Sequence, residues 1–173
     1  MKRIASVLAA AASLAACETA PVGPPVPPPY PPPPPPGAVF REQDFAWSTE
    51  PGGGRIDGVL AYRGGGYTCN DVILAPETPW SRARMRNLYL STQAAAEPAD
   101  EVRARTPPEH AREYAAYAKV AHCDAAGRFA FANLPDGGWF VITVAAPVGG
   151  GTRIAVMRHV VTTAGGAVRV VLR

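Results

Sequence analysis

A chain of 173 residues, 47% of them hydrophobic, has room for one hydrophobic core plus extensions. Its formal net charge is +3, and setting Lys2 and Arg3 aside leaves 15 basic against 14 acidic side chains, a balance that excludes the electrostatic footprint of a nucleic-acid-binding protein. Twenty prolines and 17 glycines exceed ordinary usage, but most of the prolines fall in one stretch, so composition has to be read by region.

Lys2 and Arg3 open the chain, and an Ala-rich apolar run from Ile4 to Ala16 follows. That run is short for a bilayer span and ends in small residues, the form of a secretory signal. Its last residues, Leu14-Ala15-Ala16 before Cys17, resemble the bacterial lipobox. The resemblance implies a signal peptide over residues 1–16 and lipid on Cys17, with the membrane as a partner through that lipid. More than one acyl chain, at about 0.8 kcal/mol per buried CH₂, makes such an anchor stable. Glu18, not aspartate, follows the cysteine, which points to the outer membrane of a two-membrane envelope. Between Pro21 and Pro36, twelve of sixteen residues are proline. Proline fixes φ and donates no hydrogen bond, so residues 17–36 read as a semi-rigid spacer reaching about 50 Å.

Residues 37–53 lack periodicity and read as a linker or loosely packed segment whose large apolar groups are Phe40, Phe45 and Trp47. Strand signals begin at Arg55–Tyr62 and continue at Thr68–Ala75, with Arg82–Leu90 as a candidate third strand after the break at Thr78-Pro79. Thr106-Pro107-Pro108-Glu109 has the form of a helix start, which predicts one inserted helix over about 107–118. Phe129 and Phe131 alternate with small or polar residues, Asn-Leu-Pro-Asp-Gly-Gly follows, and Trp139–Val144 is apolar. This pattern predicts a β-hairpin. Arg153–Thr163 and Val168–Leu172, joined through Ala-Gly-Gly-Ala, predict another. Seven or eight short strands with Gly- and Pro-rich breaks argue for an all-β, antiparallel Greek-key β-sandwich with one short inserted helix, over residues 54–173.

Gly58-Val59-Leu60, the run Val72 to Pro76 with Thr78-Pro79, and above all the stretch Asp124 to Gly137, reading DAAGRFAFANLPDG, resemble the carboxypeptidase regulatory-like domain, a transthyretin-like β-sandwich. The match spans residues 54–173. It departs from that family's pattern in the insertion before Cys123 and in Trp139, where a tyrosine is common. The resemblance implies an accessory or adhesive module without an assigned activity.

Once Cys17 carries lipid, Cys69 and Cys123 remain. An even pair in an oxidising compartment suggests a disulfide, two buried thiols being the other reading. His110-Ala-Arg-Glu113 has a zinc-peptidase spacing, but a catalytic zinc needs a third ligand and a walled site, and nothing in the spacing of His122 or His159 supplies one. No serine lies in a nucleophile elbow, and the three Gly-Gly-Gly runs read as loops, not phosphate cradles. Neither a metal nor another cofactor is expected. Arg82, Arg84 and Arg86 alternate. On a strand that would place three guanidinium groups on one face, suited to an anionic partner, or to protecting a solvated edge.

The sequence therefore reads as a lipid-anchored outer-membrane module, structural or protein-binding and not an enzyme. Alternatives are a glycan or peptidoglycan-binding module, with Trp47, Trp80 and Trp139 as candidate stacking surfaces, and an accessory subunit of an envelope hydrolase.

Overall fold

The computed structural model describes residues 39–163 and 165–173. The signal peptide, Cys17 and the Pro-rich spacer lie outside the described residues. A 3₁₀ segment, Glu42–Thr49, precedes β1 (Gly54–Leu60), β2 (Tyr67–Thr68), β3 (Asp71–Pro76), α1 (Pro79–Tyr89), β4 (Ala94–Pro98), α2 (Ala99–Ala104), α3 (Ala111–Tyr117), β5 (Lys119–His122), β6 (Arg128–Leu134), β7 (Gly137–Pro147), β8 (Ile154–Thr162) and β9 (Ala167–Leu172). They form a two-sheet sandwich. The smaller sheet has the order β6-β1-β9, and the larger has the order β4-β8-β7-β3-β5 with β2 beside β7.

Alternation within the strands builds the core. On β1, and on β6 as far as Phe131, every second side chain turns inward, and an irregularity at Ala132 and Asn133 turns Leu134 inward as well, bringing Ile56, Leu60, Phe129, Phe131 and Leu134 against Val72, Leu74, Trp139, Val141 and Val156 of the larger sheet. Gly58 stays without a side chain because the Phe129 ring lies across it, where a Cβ would sit 2.0 Å from the ring.

The two expected hairpins are instead crossings between sheets. β6 pairs with β1, and β7 pairs with β3 and β8. A period of two tells which face of a strand is buried but not which strand is its neighbour. Phe129 and Phe131 meet Trp139 and Val141 across the sandwich, not side by side in one sheet. Asn133, at φ 56°, lets the chain leave the smaller sheet. Likewise β9 leaves β8 and runs parallel to β1, from Arg55 opposite Ala167 to Leu60 opposite Leu172.

Arg82–Leu90 is helical, not a strand. The Thr78 hydroxyl accepts from Ser81 N–H at 3.0 Å, and Ser81 Oγ accepts from Thr78 N–H at 2.8 Å, a reciprocal cap with Pro79 in the first turn. The signal that stops β3 thus also starts α1, whose buried face carries Ser81, Met85, Leu88 and Tyr89. The inserted helix starts later than expected, at Ala111 after His110 at φ 57°. Pro108 disfavours helical geometry at Pro107. Thr106 Oγ1 donates back to Val102 O at 2.7 Å, closing α2 instead of opening a helix.

Residues 39–49 pack onto the domain. Phe45 is fully buried, with its ring 5.0 Å from Tyr117 and 5.1 Å from Phe40. Helices α1 and α2 cover part of the outer face of the larger sheet, where Met85, Leu88, Tyr89 and Val102 bury Ala75, Phe140, Ala155 and Met157.

Candidate functional site

That helical cover ends part-way across the sheet. The cross-strand row Val120, Ile73, Ile142, Met157, Ala95 passes from β5 to β4. Met157 is 1% exposed under the helices, whereas Ile73 is 41% and Val120 60% exposed. Val144, on the same face, is 42% exposed. Among the described strands β5 is the last of its sheet, so there the aliphatic stripe runs out to an edge that no described strand pairs.

Beside the stripe is a groove of about 340 Å³. Ile73, Ile142 and Val144 form its floor, and Thr68, Asn70 and Asp71 stand on one rim with Arg153 on another. Asp71 is fixed twice: its Oδ1 lies 2.7 Å from His122 Nδ1, and its carbonyl accepts from Thr143 Oγ1 at 2.7 Å. The loop carrying Arg153 is pinned because the Arg153 carbonyl accepts from Ala99 N–H at 2.9 Å. Beyond Val144 and Arg153 a second hollow, about 290 Å³, reaches Tyr89 and Val102 under α2.

The outer face of the smaller sheet is charged and largely self-paired. Arg55 Nε donates to both carboxylate oxygens of Asp57 at 2.8 and 2.9 Å, and Arg128 Nε to Asp124 Oδ2 at 2.9 Å. The bond from Arg55 holds the Asp57 carboxyl below the usual carboxylate range, and backbone and side-chain donation from Arg128 does the same for Asp124.

Cys69 and Cys123 form a disulfide with Cα atoms 5.8 Å apart. It ties the residue after β2 to the residue after β5, where Cys123 N–H also donates to Asn70 O at 2.8 Å.

Arg84 does not share a face with Arg82 and Arg86, because helical residues two positions apart are about 200° apart around the axis, whereas those four positions apart are about 40° apart. Arg82 pairs with Glu77. The Arg84 guanidinium lies 5.3 Å from the Trp80 ring centroid and 5.7 Å from that of Tyr114, and burial pushes its pKa down. Arg86 is exposed, one turn along from Arg82. Burial also pushes Tyr89 up to about 12, and Tyr114 upward.

The tryptophans are packing groups. Trp139 is fully buried, Trp47 sets its edge against it at 4.9 Å, and Trp80 joins the rings of Phe40, Phe45, His110 and Tyr114. His110 stacks on Phe40 at 4.8 Å. Among the described residues no three His, Cys, Asp or Glu side chains converge as a ligand set. The serine hydroxyls there bond to backbone or to Thr78, not to a histidine.

His159 Nε2 lies 2.6 Å from Glu77 Oε2, while the other Glu77 oxygen faces Arg82. Glu77 alone would favour the imidazolium, but burial, followed by the charge of Arg82, holds His159 below its ordinary value. The folded chain therefore takes up this proton less readily than the unfolded chain. The stabilisation is complete above the unfolded value of about 6.5 and is lost as pH falls from there through the folded value. Urea denaturation midpoints should be lower at about pH 5.5 than at about pH 7.5, with part of that difference removed by His159→Gln. A pH dependence untouched by the substitution would mean that other groups titrate.

Neither a family model nor a curated protein matches the chain. A solved structure does. It is the crystal structure of a "putative carbohydrate binding protein" from Pseudomonas aeruginosa, aligned with a TM-score of 0.53 over 77% of this chain and 96% of that one, at 22% identity. At that identity, the shared property is the fold.

Of the candidate stacking rings, Trp139 is fully buried, and Trp47 and Trp80 are half-buried among aromatic neighbours. The groove was not legible: its floor residues lie on two segments far apart in the chain, β3 and β7, and Arg153 follows a Gly run that carries no chemical signal of its own. Alternation of Ile73 with Val72 and Leu74 was visible in the sequence, but in a continuous apolar run it does not say that one face is left uncovered.

Proposed function

We propose that this chain is a lipid-anchored module of the bacterial outer membrane, related to the carboxypeptidase regulatory-like domains, that is non-catalytic and engages an envelope protein through the free edge of β5. The lipobox-like Leu14–Cys17 and the Pro-rich spacer support the tether, and the DAAGRFAFANLPDG stretch supports the relationship. The observation that carries the binding role is the aliphatic stripe of Val120 and Ile73 ending at an unpaired strand edge. An extended segment of the partner adds to β5 through backbone hydrogen bonds, and its side chains on the outer face meet Val120 and Ile73, so that the strand edge supplies affinity and the stripe selects apolar residues.

Photocrosslinking in the native envelope tests this. A photoreactive residue at position 120 should give one discrete protein adduct, while the same residue at 112, on exposed α3, should give none. No adduct at 120, or the same adducts from both positions, contradicts the reading.

A second reading, glycan binding, is favoured by the groove, whose aliphatic floor suits the CH face of a sugar and whose rim of Thr68, Asn70, Asp71 and Arg153 suits its hydroxyls. The name of the structural neighbour agrees with it. Retention of the chain on purified peptidoglycan, lost on Val144→Asp, is the result that would select this reading over the first.

A further inference from the structure

A third surface belongs to neither reading. Along the seam between β8 and β9 lies a cleft of about 430 Å³ bordered by Arg158, Arg169 and Arg173, with Val160, Val168 and Val171 as apolar wall and no acidic side chain among its lining residues. Five arginines elsewhere in the described chain are matched to carboxylates: Arg55 to Asp57, Arg82 to Glu77, Arg103 to Asp100, Arg105 to Glu97 and Glu101, and Arg128 to Asp124. Two of the three cleft arginines are not. No side-chain hydrogen bond or ion pair joins Arg158 or Arg173 to another described residue, whereas Arg169 stands opposite Asp57 and its charge acts on that carboxylate alongside the direct contacts from Arg55.

Arg158 decides the matter. On β8, Ala155 and Met157 face the helices, so Arg158 shares the opposite face with Val156 and Val160 and is half-buried at the edge of the space between the sheets. A half-buried guanidinium beside like charges, with no carboxylate in contact, is placed to receive an anion. One inward charge would be enough to protect the edge of β9 from adventitious pairing; three around one cleft exceed that need.

The geometry points to a phosphate-binding cleft at this seam, with Arg158 as its innermost contact and Arg169 and Arg173 closing over the anion. A phosphate group brings a charge of about −1.5 to −2 and three strong acceptor oxygens, which suit guanidinium forks better than a single carboxylate does. The phosphate belongs either to a lipid headgroup or to a soluble ligand.

The test uses the full chain with Cys17→Ser, which removes the site of lipidation. Inorganic phosphate, added at constant ionic strength against chloride, should raise its Tm by mass action. Arg158→Gln with Arg169→Gln should abolish that rise and weaken the apparent phosphate affinity by about tenfold or more. Arg158→Lys, which keeps the charge and loses the fork, should weaken it less, and Arg112→Gln on α3 should leave it intact. The melting curve of each variant reports its folding in the same experiment. Vesicles of phosphatidylglycerol with phosphatidylcholine, against phosphatidylcholine alone, separate the sources. Sedimentation with the first that is competed by phosphate and lost in the double variant assigns the anion to a headgroup. Stabilisation by phosphate without vesicle binding assigns it to a soluble ligand. Neither stabilisation nor vesicle binding, or either one persisting in the double variant, overturns the proposal.

Discussion

Replacing Cys69 and Cys123 together by alanine is expected to destabilise the domain by about 4 kcal/mol, the value for releasing a loop of this length in the chain-entropy model. The bridge spans 54 positions, and α1, β4, α2 and α3 all lie inside the loop it closes. It also fastens β5, whose neighbour among the described strands is β3 and which has four residues with which to hold it. Without the bridge the unfolded chain gains freedom, and β5 keeps its ladder to β3, the contact of His122 with Asp71 and the bond from Cys123 N–H to Asn70 O. Urea denaturation of the oxidised chain and of the double variant measures the difference. The midpoint should fall sharply, and m should rise because the unfolded state expands. Equal midpoints would mean that the bridge does not constrain the unfolded chain.

Trp139→Ala is expected to cost about 3 to 5 kcal/mol, the range for deleting a buried tryptophan. Trp139 is fully buried, and its indole N–H donates to Thr162 Oγ1 at 3.0 Å. The same hydroxyl donates to Pro135 O at 2.7 Å, so the ring helps to lock the turn by which β6 crosses to β7. Trp47 leans on it from the 3₁₀ segment. Removal therefore leaves a cavity between the sheets, an acceptor without its donor and a loosened N-terminal segment. Against a usual domain stability of 5 to 15 kcal/mol, the loss is large. Trp139→Phe serves as the control: it keeps much of the volume and forfeits the hydrogen bond, at about 1 to 2 kcal/mol. Indistinguishable midpoints for wild type and Trp139→Ala would contradict the role assigned to this ring.

The parts of the fold that were legible are those in which one periodicity fixes one answer. Phe129 and Phe131 face inward as their spacing requires, and the cysteine pair closes as an even count in an oxidising compartment suggests. Partnership was not legible. Alternation in β6 and β7 serves a hairpin and a crossing between sheets equally well, and only the opposing faces of Phe131 and Trp139 in the packed core separate the two. At Arg82–Leu90 the alternation of three arginines gave a period of two, while Thr78-Pro79-Trp80-Ser81 carried the true signal, a cap in which serine takes the place usual for glutamate. The reverse occurred at Thr106, where a cap-like sequence was overridden by two consecutive prolines. The candidate surfaces lay further out of reach. The exposure of Ile73 and Val120 depends on where α1 and α2 stop, and the arginine cleft depends on β9 leaving β8 to pair with β1.

The free edge of β5 is the surface on which the proposed role rests, and amide hydrogen exchange reads it directly. Peptides covering Lys119–His122 would be compared between the purified chain and the chain in intact envelopes. Slower exchange there in the envelope, with the smaller sheet unchanged, is the result expected if a partner strand adds to β5. Identical exchange at β5 in both settings would contradict it.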